Sequence, residues 1–522
     1  MSTVAERAAA RKRALIAEKA FDELDDRLGT SKWLRNAMDK IFPDHWSFMV
    51  GEIAMYSFLI LVVTGIYLAL FYSPSSAIVV YHGPYKPLDG QSMTQAYEST
   101  VNLSFSVRAG LVMRQAHHWA ALIFLAAIVV HMCRVFFTGA FRKPRELNWT
   151  IGVTLLLIAM LEGFSGYSLP DDLLSGSGLR VVFSIIQSVP FVGVWLAFTL
   201  WGGPFPGSSA FFSRLFVIHE FLFPLLLAGL LGAHLAILWH QKHTDFPGPG
   251  KTERNIVGSR LWPQYAVKSG SLLMFIAAVI FGLGGFVQIN PIWVYGPFSA
   301  ARASAGTQPD WYVGWLDGAL RLWPHWEFRS LGHEIANPFF PGILLPGIVF
   351  AVIYAWPAID RRLFNDHEEH NLLDRPRDKP LRTAIGVAAL FFFADLTLAS
   401  ATDLIGNGLN ISFELLIEIL QYGSFVAPII AGFVAYHVCL LLQRTAAHPI
   451  QRPVGGIIVR DAKGAFHTLG YEHAHGGNGH GGNGHGGNGH DAGPAEADAE
   501  EGARSWPAGQ HGAGASAGPG GG

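Results

Sequence analysis

RQAHHWAALIFLAAIVVHMCR, residues Arg114 to Arg134, is an apolar run with a histidine near each end. His117 and His131 are 14 residues apart, so on an α-helix they stand about 3.9 turns and ~21 Å apart on nearly the same face. Arg214 to His240 repeats the pattern, with His219 and His234 15 residues apart, about 4.2 turns. Imidazole is costly to bury in a membrane-spanning segment and rarely free of function there. Two helices that each offer two inward histidines can hold two metal centres stacked across a membrane. Haem with one axial histidine from each helix fits that spacing, whereas zinc gathers short-spaced ligands. Taken singly, each histidine has a plainer reading as a core residue bonded to a neighbouring helix. The matched pairing favours ligation.

Glycines sharpen the pattern. Gly51 and Gly65 in one apolar run, and Gly152 and Gly166 in another, are also 14 apart. A flat macrocycle between four helices needs flanking backbones that carry no side chain at its level.

Half of the 522 residues are hydrophobic and 15% are charged, which excludes an ordinary soluble enzyme and indicates an all-α polytopic membrane protein. The net charge of −2 says little about partners, and no nucleic acid is expected among them. Cys133 and Cys439 both sit in apolar runs without a C-x-x-C-H motif, so neither a disulfide framework nor a c-type haem attachment is expected. Runs long enough to span fall at roughly 48–72, 116–138, 148–169, 214–240, 267–289, 338–357, 383–400 and 413–442. Val181 to Trp201 is apolar too, but Pro190 and Gly193 cut it into pieces too short to cross. Lys and Arg concentrate between the second and third runs (Arg142, Lys143, Arg145), the fourth and fifth (Lys242, Lys251, Arg254, Arg260, Lys268) and the sixth and seventh (Arg361, Arg362, Arg375, Arg377, Lys379, Arg382). Eight spans with both termini in the cytoplasm satisfy the positive-inside rule, and a ninth breaks it. On this topology His117 and His219 share the outer level, and His131 and His234 the inner. His118 competes with His117, but its spacing to His131 turns it off the shared face. Arg114 and Arg134 lie one turn beyond the ligands, where they can pair with haem propionates or simply mark the membrane boundaries.

The connection 290–337 is long and aromatic, with Gln308-Pro309-Asp310-Trp311-Tyr312 at its centre. An acid beside aromatic rings can take a proton from a bound hydroxyl while the rings hold a planar head group. Pro-Asp is also an ordinary turn opener.

These residues together resemble cytochrome b, the membrane core of the respiratory bc and photosynthetic bf quinol oxidoreductases. The likeness covers about 45–445. It rests on the four histidines, both glycine pairs, Phe141-Arg142-Lys143-Pro144-Arg145-Glu146-Leu147, Gly166-Tyr167-Ser168-Leu169-Pro170 and Pro309-Asp310-Trp311-Tyr312. The last is similar to the family's Pro-Glu-Trp-Tyr motif with Asp for Glu. The 15-residue spacing resembles the bf branch and the unsplit eight-helix chain the bc branch, a mixture similar to actinobacterial cytochrome b. The resemblance implies a four-helix bundle holding two non-covalent b-type haems, and quinol oxidation near the outer face between the Gly178–Gly193 stretch and Pro309–Tyr312. Catalytic Asp310 and Tyr312 are then expected, with Gly178, Pro309 and Trp311 binding quinol. One electron is expected to pass to a Rieske iron–sulfur protein, the other through both haems to a quinone near the cytoplasm, with menaquinone the expected quinone. The implied setting is the bacterial cell membrane. Implied partners are membrane lipids, a cytochrome c subunit, a cytochrome c oxidase in a supercomplex and a second copy of the complex. Met49 stands where bf relatives carry the cysteine of a further covalent haem, so no third haem is expected. Ser269 follows Lys268 where bc relatives carry Asp. That leaves the inner proton donor open, with Lys268, His240, His243 and Asp245 as candidates by position.

Four segments follow: a cytoplasmic 1–45, in which Leu15, Ile16, Phe21, Leu24 and Leu28 can line a surface helix; a dihaem domain at 46–245; a second membrane domain at 246–445; and an extension with a Gly/His-rich tail at 446–522. The Gly-Gly-Asn-Gly-His repeat from His473 cannot bury a core and is expected to be disordered. Two other functions stay open on sequence alone: a dihaem b-type anchor of another respiratory dehydrogenase, and a haem-free proton-coupled transporter.

Overall fold

In the computed structural model the described residues run from 29 to 447, apart from 249, 256, 303–307 and 331, with scattered positions between 19 and 27 and strands at 457–460 and 466–469. The helix face of Leu15 to Leu28 and the Gly/His repeat lie outside the described residues. Eight helices are long and apolar enough to cross a membrane. With the shorter helices of the connections interleaved, the chain runs α1 (Trp46–Ala69), α2 (Gln95–Phe105), α3 (Gly110–Phe137), α4 (Glu146–Ser168), α5 (Leu173–Gln187), α6 (Gly193–Trp201), α7 (Phe211–Gln241), α8 (Leu261–Phe286), α9 (Trp311–Leu322), α10 (Phe340–Phe364), α11 (Pro380–Ala399) and α12 (Phe413–Thr445).

Each expected run corresponds to one spanning helix. The apolar stretch after the third run folds as α5 and α6, of 15 and 9 residues, too short to add a ninth crossing. Asp172 starts α5 by accepting hydrogen bonds from the Leu174 and Ser175 amides. Among the eight spans, α1 packs on α3, α3 on α4, and α4 on α7, which gives the four-helix arrangement; α8 closes over α1 and α3, and α11 packs against α9 and α12. Past Ile450 the described residues form one antiparallel ribbon, Ile457–Arg460 with Phe466–Leu469.

One boundary departs from the sequence reading. The sixth run was expected to end at about 357, where Pro357 cannot donate to the carbonyl four residues back. Helix α10 continues to Phe364. The carbonyl that Pro357 leaves unserved belongs to Ile353, and it accepts a 2.8 Å bond from the Trp149 indole N–H of α4. A neighbouring helix supplies the missing donor.

The basic loops do more than mark a side. Arg382 is fully buried; its Nε and Nη2 donate to Asp360 at 2.7 and 2.9 Å, and its Nη1 to Asp374 at 2.7 Å. Arg142 stands 3.3 Å from Asp374 and 3.5 Å from Asp366. Arg145 donates to the carbonyl of His370 and to the Asn371 side chain, both at 2.7 Å. The loop after α3 is thereby clamped to the loop after α10. Removing one partner of a buried pair strands the other charge. Arg382→Met should therefore cost about 3–5 kcal/mol, while Arg329→Ala, in an exposed pair with Glu334, should cost under about 1 kcal/mol. Thermal melts of the two variants in detergent check this; equal shifts would count against the clamp.

Candidate functional site

Helix α3 carries His117 and α7 carries His219, and their rings meet with centroids 6.3 Å apart at 78°. Fifteen residues of ideal helix would leave His219 and His234 about 60° out of line. The chain avoids this with a single wide turn, Ile218–Leu222, bonded one residue further than an α-turn. The turn absorbs the extra residue and contains His219 itself. The ring tautomers follow from their neighbours. Thr64 Oγ1 donates to the Ile60 carbonyl at 2.7 Å and lies 2.9 Å from His117 Nδ1, so Nδ1 donates to it. His219 Nδ1 faces acceptors, the Glu162 carbonyl and carboxylate, each at 3.2 Å. Both Nε2 lone pairs are left for a metal.

His131 and His234 meet the second level, toward the basic loops, where both line one cavity. Each has a buried Nδ1 with no partner. The expected glycines lie against these rings. A Cβ on Gly65 would sit 3.3 Å from His117, on Gly51 3.2 Å from His131, on Gly152 3.6 Å from His234, and on Gly166 only 2.3 Å from His219. Cavities of about 340 and 440 Å³ surround the two levels.

The residues fit haem at both levels. Two metal–nitrogen bonds of about 2 Å each, plus the two ring radii, come to roughly the separation of His117 and His219. Arg114 lines the first cavity, and Arg134 lines the second with its Nε and Nη2 buried and unpartnered. A buried guanidinium with free donors suits a carboxylate such as a propionate. Arg114 also donates to the Asn290 carbonyl at 3.1 Å. Among the described residues no cluster of three or more His, Cys, Asp or Glu could hold a bare metal ion.

The 340 Å³ cavity also receives Asp310 and Tyr312. Asp310 stands at the start of α9, yet its side chain makes no capping bond. Both of its oxygens instead face His118 Nε2, at 2.9 and 3.0 Å. The adjacent histidines thus face different neighbours: His117 turns to His219, and His118 to Asp310. Tyr312 is buried, and burial followed by the nearby Asp310 and Glu162 carboxylates holds its phenol well above the usual range. Its hydroxyl lies over Gly163, where a Cβ would approach to 2.7 Å. The loop is fixed through Gln308, which donates to Asp403 at 2.6 Å and accepts from Arg321 at 3.1 Å. Trp311 is 41% exposed, edge-on to Tyr312. Gly178 lies beside the Tyr167 ring that lines the cavity, and Pro309 stands half-buried at the loop. The sequence reading missed His118 as a partner of Asp310, and it missed Glu162, although an acid inside an apolar run was signal enough.

Of the positions suggested for the inner proton donor, His243 lines the second cavity and the others do not. His240 is exposed, and Lys268 Nζ reaches Asp44 at 2.5 Å and Ser259 at 3.4 Å; neither lines the 440 Å³ cavity. Asp245 accepts from Lys251 at 2.8 Å. His243 does line the cavity, stacked on Phe42 at 4.5 Å. Burial, reinforced by Lys40, Arg145 and Arg134, lowers its pKa to about 4. Phe42, Glu52, Tyr265 and Ser269 complete that wall.

The family model described as Cytochrome b(N-terminal)/b6/petB matches residues 122–297. The cytochrome bc1 complex cytochrome b subunit of Mycobacterium leprae is 47% identical over 456 residues, 87% of this chain and 82% of that one. The same-named subunit of Streptomyces coelicolor is 47% identical, covering 85% and 82%, and that of Corynebacterium diphtheriae 44%, covering 87% and 85%. A solved chain of a hyperthermophilic respiratory Complex III superposes with a TM-score of 0.59 at 22% identity, over 80% of this chain and 99% of that one, a likeness of fold. With such identity over most of both sequences, this chain belongs to the cytochrome b family, with the cytochrome b subunits of the cytochrome bc1 complex.

Proposed function

We propose that the chain is the dihaem, quinol-oxidising subunit of a proton-translocating quinol–cytochrome c reductase. Quinol, with menaquinol the expected member of that class, gives one electron to a Rieske protein and the other to a quinone at the end of the basic loops. The observation that carries this reading is one cavity holding the His117–His219 pair together with Asp310 and Tyr312. Haem at the two histidine pairs supplies one-electron carriers at two depths. The resemblance and the positive-inside pattern support an orientation with Asp310 outside and both termini in the cytoplasm of a bacterial cell. A cytochrome c subunit, an attached oxidase and a second copy of the complex complete the proposed assembly. The dihaem and second membrane domains are proposed at 46–245 and 246–445.

The residues divide the work at the Asp310 cavity. A quinol hydroxyl meets the Asp310 carboxylate, which accepts its proton. His118 holds that carboxylate on both oxygens and fixes its direction. Tyr312, its phenol kept protonated by burial, is a hydrogen-bond donor for the head group rather than a base. Asp310 is one methylene shorter than the family's usual Glu; the His118 contact brings α3 and α9 together around it.

Asp310→Asn keeps size and a hydrogen bond but cannot take a proton, so steady-state quinol oxidation by the assembled complex should fall roughly 10²–10⁴-fold. Both b-type bands should remain, and Asp310→Glu should keep much of the activity. An Asn variant turning over at the parental rate would end the assignment.

The glycines make a graded prediction. Gly166→Ala forces backbone-attached carbon onto the His219 ring, whereas Gly152→Ala adds only an ordinary contact with His234. Reduced-minus-oxidised spectra should show about half of the b-type absorbance lost in the first variant; the second should keep all of it. Equal spectra for both would contradict the haem placement.

A further inference from the structure

The 440 Å³ cavity contains one carboxylate among its described lining residues, Glu52 of α1. Tyr265 donates to its Oε1 and Ser269 Oγ to its Oε2, both from α8. Tyr56, one turn along α1, hydrogen-bonds the same Ser269 hydroxyl. Tyr265 is delivered by the wide turn Leu261–Tyr265 that opens α8, and it is steadied by stacking on Phe42, centroids 4.3 Å apart at 26°. The remaining titratable groups on the cavity are His131, His234, Arg134, Arg145 and His243. Two of these are the candidate iron ligands, two are guanidiniums that cannot release a proton at working pH, and His243 is held neutral by burial and neighbouring cations. Lys268 is turned away onto Asp44.

The geometry points to Glu52 as the group that hands protons to quinone at this cavity, with Ser269 and Tyr265 as its hydroxyl contacts. The acid has changed helices: position 269, where bc relatives carry Asp, holds a serine whose hydroxyl touches the Glu52 carboxylate. The assignment rests on quinone reduction at this end, as proposed above. Quinone takes up two electrons, those that the quinol-oxidising reaction sends to this end over two turnovers, and two protons. For each proton the carboxyl O–H of Glu52 breaks as a quinol O–H forms, and the carboxylate is then reprotonated from the solvent beside the basic loops. A carboxylate bonded to hydroxyls rather than to a cation is free to cycle between the two forms.

The test uses the assembled complex with quinol as reductant, following by stopped flow the reoxidation of the inner b-type band by quinone. Glu52→Gln should keep both b-type bands and slow that reoxidation by roughly 10²-fold or more. Glu52→Asp should retain most of the rate. The double variant Glu52→Gln with Ser269→Asp returns an acid to the same contact from the facing helix and should recover at least tenfold; a bridge that merely ties α1 to α8 would gain nothing from it. Reoxidation of the Gln variant at the parental rate overturns the proposal, and so does a loss that the double variant leaves unrepaired. Should the Gln variant fail to keep its inner haem, the comparison of Glu52→Asp with Ser269→Ala decides: the proposal stands only if the serine variant, with Glu52 intact, keeps within about tenfold of the parental rate. A parental complex without b-type bands would instead sink the functional reading beneath it.

Discussion

The structure depends on holding two pairs of imidazoles at two levels, the rings of one pair meeting edge-on at 6.3 Å, inside helices that are largely apolar. A polar ring in such surroundings must find partners, and a pair meant for one metal must present lone pairs and not hydrogens. Thr64 and Glu162 satisfy the Nδ1 hydrogens of one pair, which leaves Nε2 free on each ring. Glycines on α1 and α4 let the backbones close on the same two levels. The wide turn at Ile218–Leu222 then corrects the register that a 15-residue spacing would spoil. Each of these features is unfavourable or unhelpful in an isolated helix; together they make sense only around the facing rings.

Much of this was legible in the sequence because it obeys periodicities. Apolar runs give the eight spans, and spacings of 14 or 15 residues between histidines and between glycines give the two levels. What periodicity does not carry is which side chain turns to which neighbour. His118 reads as a rival ligand one residue from His117, and only the packing of α9 beside α3 shows it holding Asp310. Asp310 itself sits where a capping residue belongs, after a proline and before a helix, so the plainer reading could not be dismissed until its side chain was seen to make no cap. The same limit applied at the other end. His240 and Lys268 were suggested by closeness in sequence to the fourth and fifth spans, but a helix offers only part of its circumference to a cavity, and theirs is the other part. The continuation of α10 through Pro357 depends on an indole from α4, a contact that no local rule contains.

The charged residues fall into two kinds that composition does not separate. Arg382, Asp360, Asp374 and Arg142 are paired among themselves and fasten loops. Their charges are compensated and have no capacity left for chemistry. Arg134, Glu52, Asp310 and Glu162 face cavities, and their partners are hydroxyls, imidazoles or nothing. Burial without a matching counter-charge is unfavourable for folding, and these four residues keep it on the walls of the two cavities. That contrast locates the working sites more sharply than charge density does.

Between those sites the wall is apolar. The two cavities share Phe58, Phe124 and Leu227, backed by Ala54, Leu125 and Leu156, and none of these can carry a proton. A proton crossing here would have to travel as a charge through a medium where desolvation costs several kcal/mol. In the proposed reaction an electron would face no such barrier, because haem held by the two histidine pairs would supply carriers at both levels. The protons of quinol must therefore leave at the Asp310 end, and those for quinone must enter at the Glu52 end. In the proposed reaction, separation of charge then follows from the position of two acids and the apolar side chains between them.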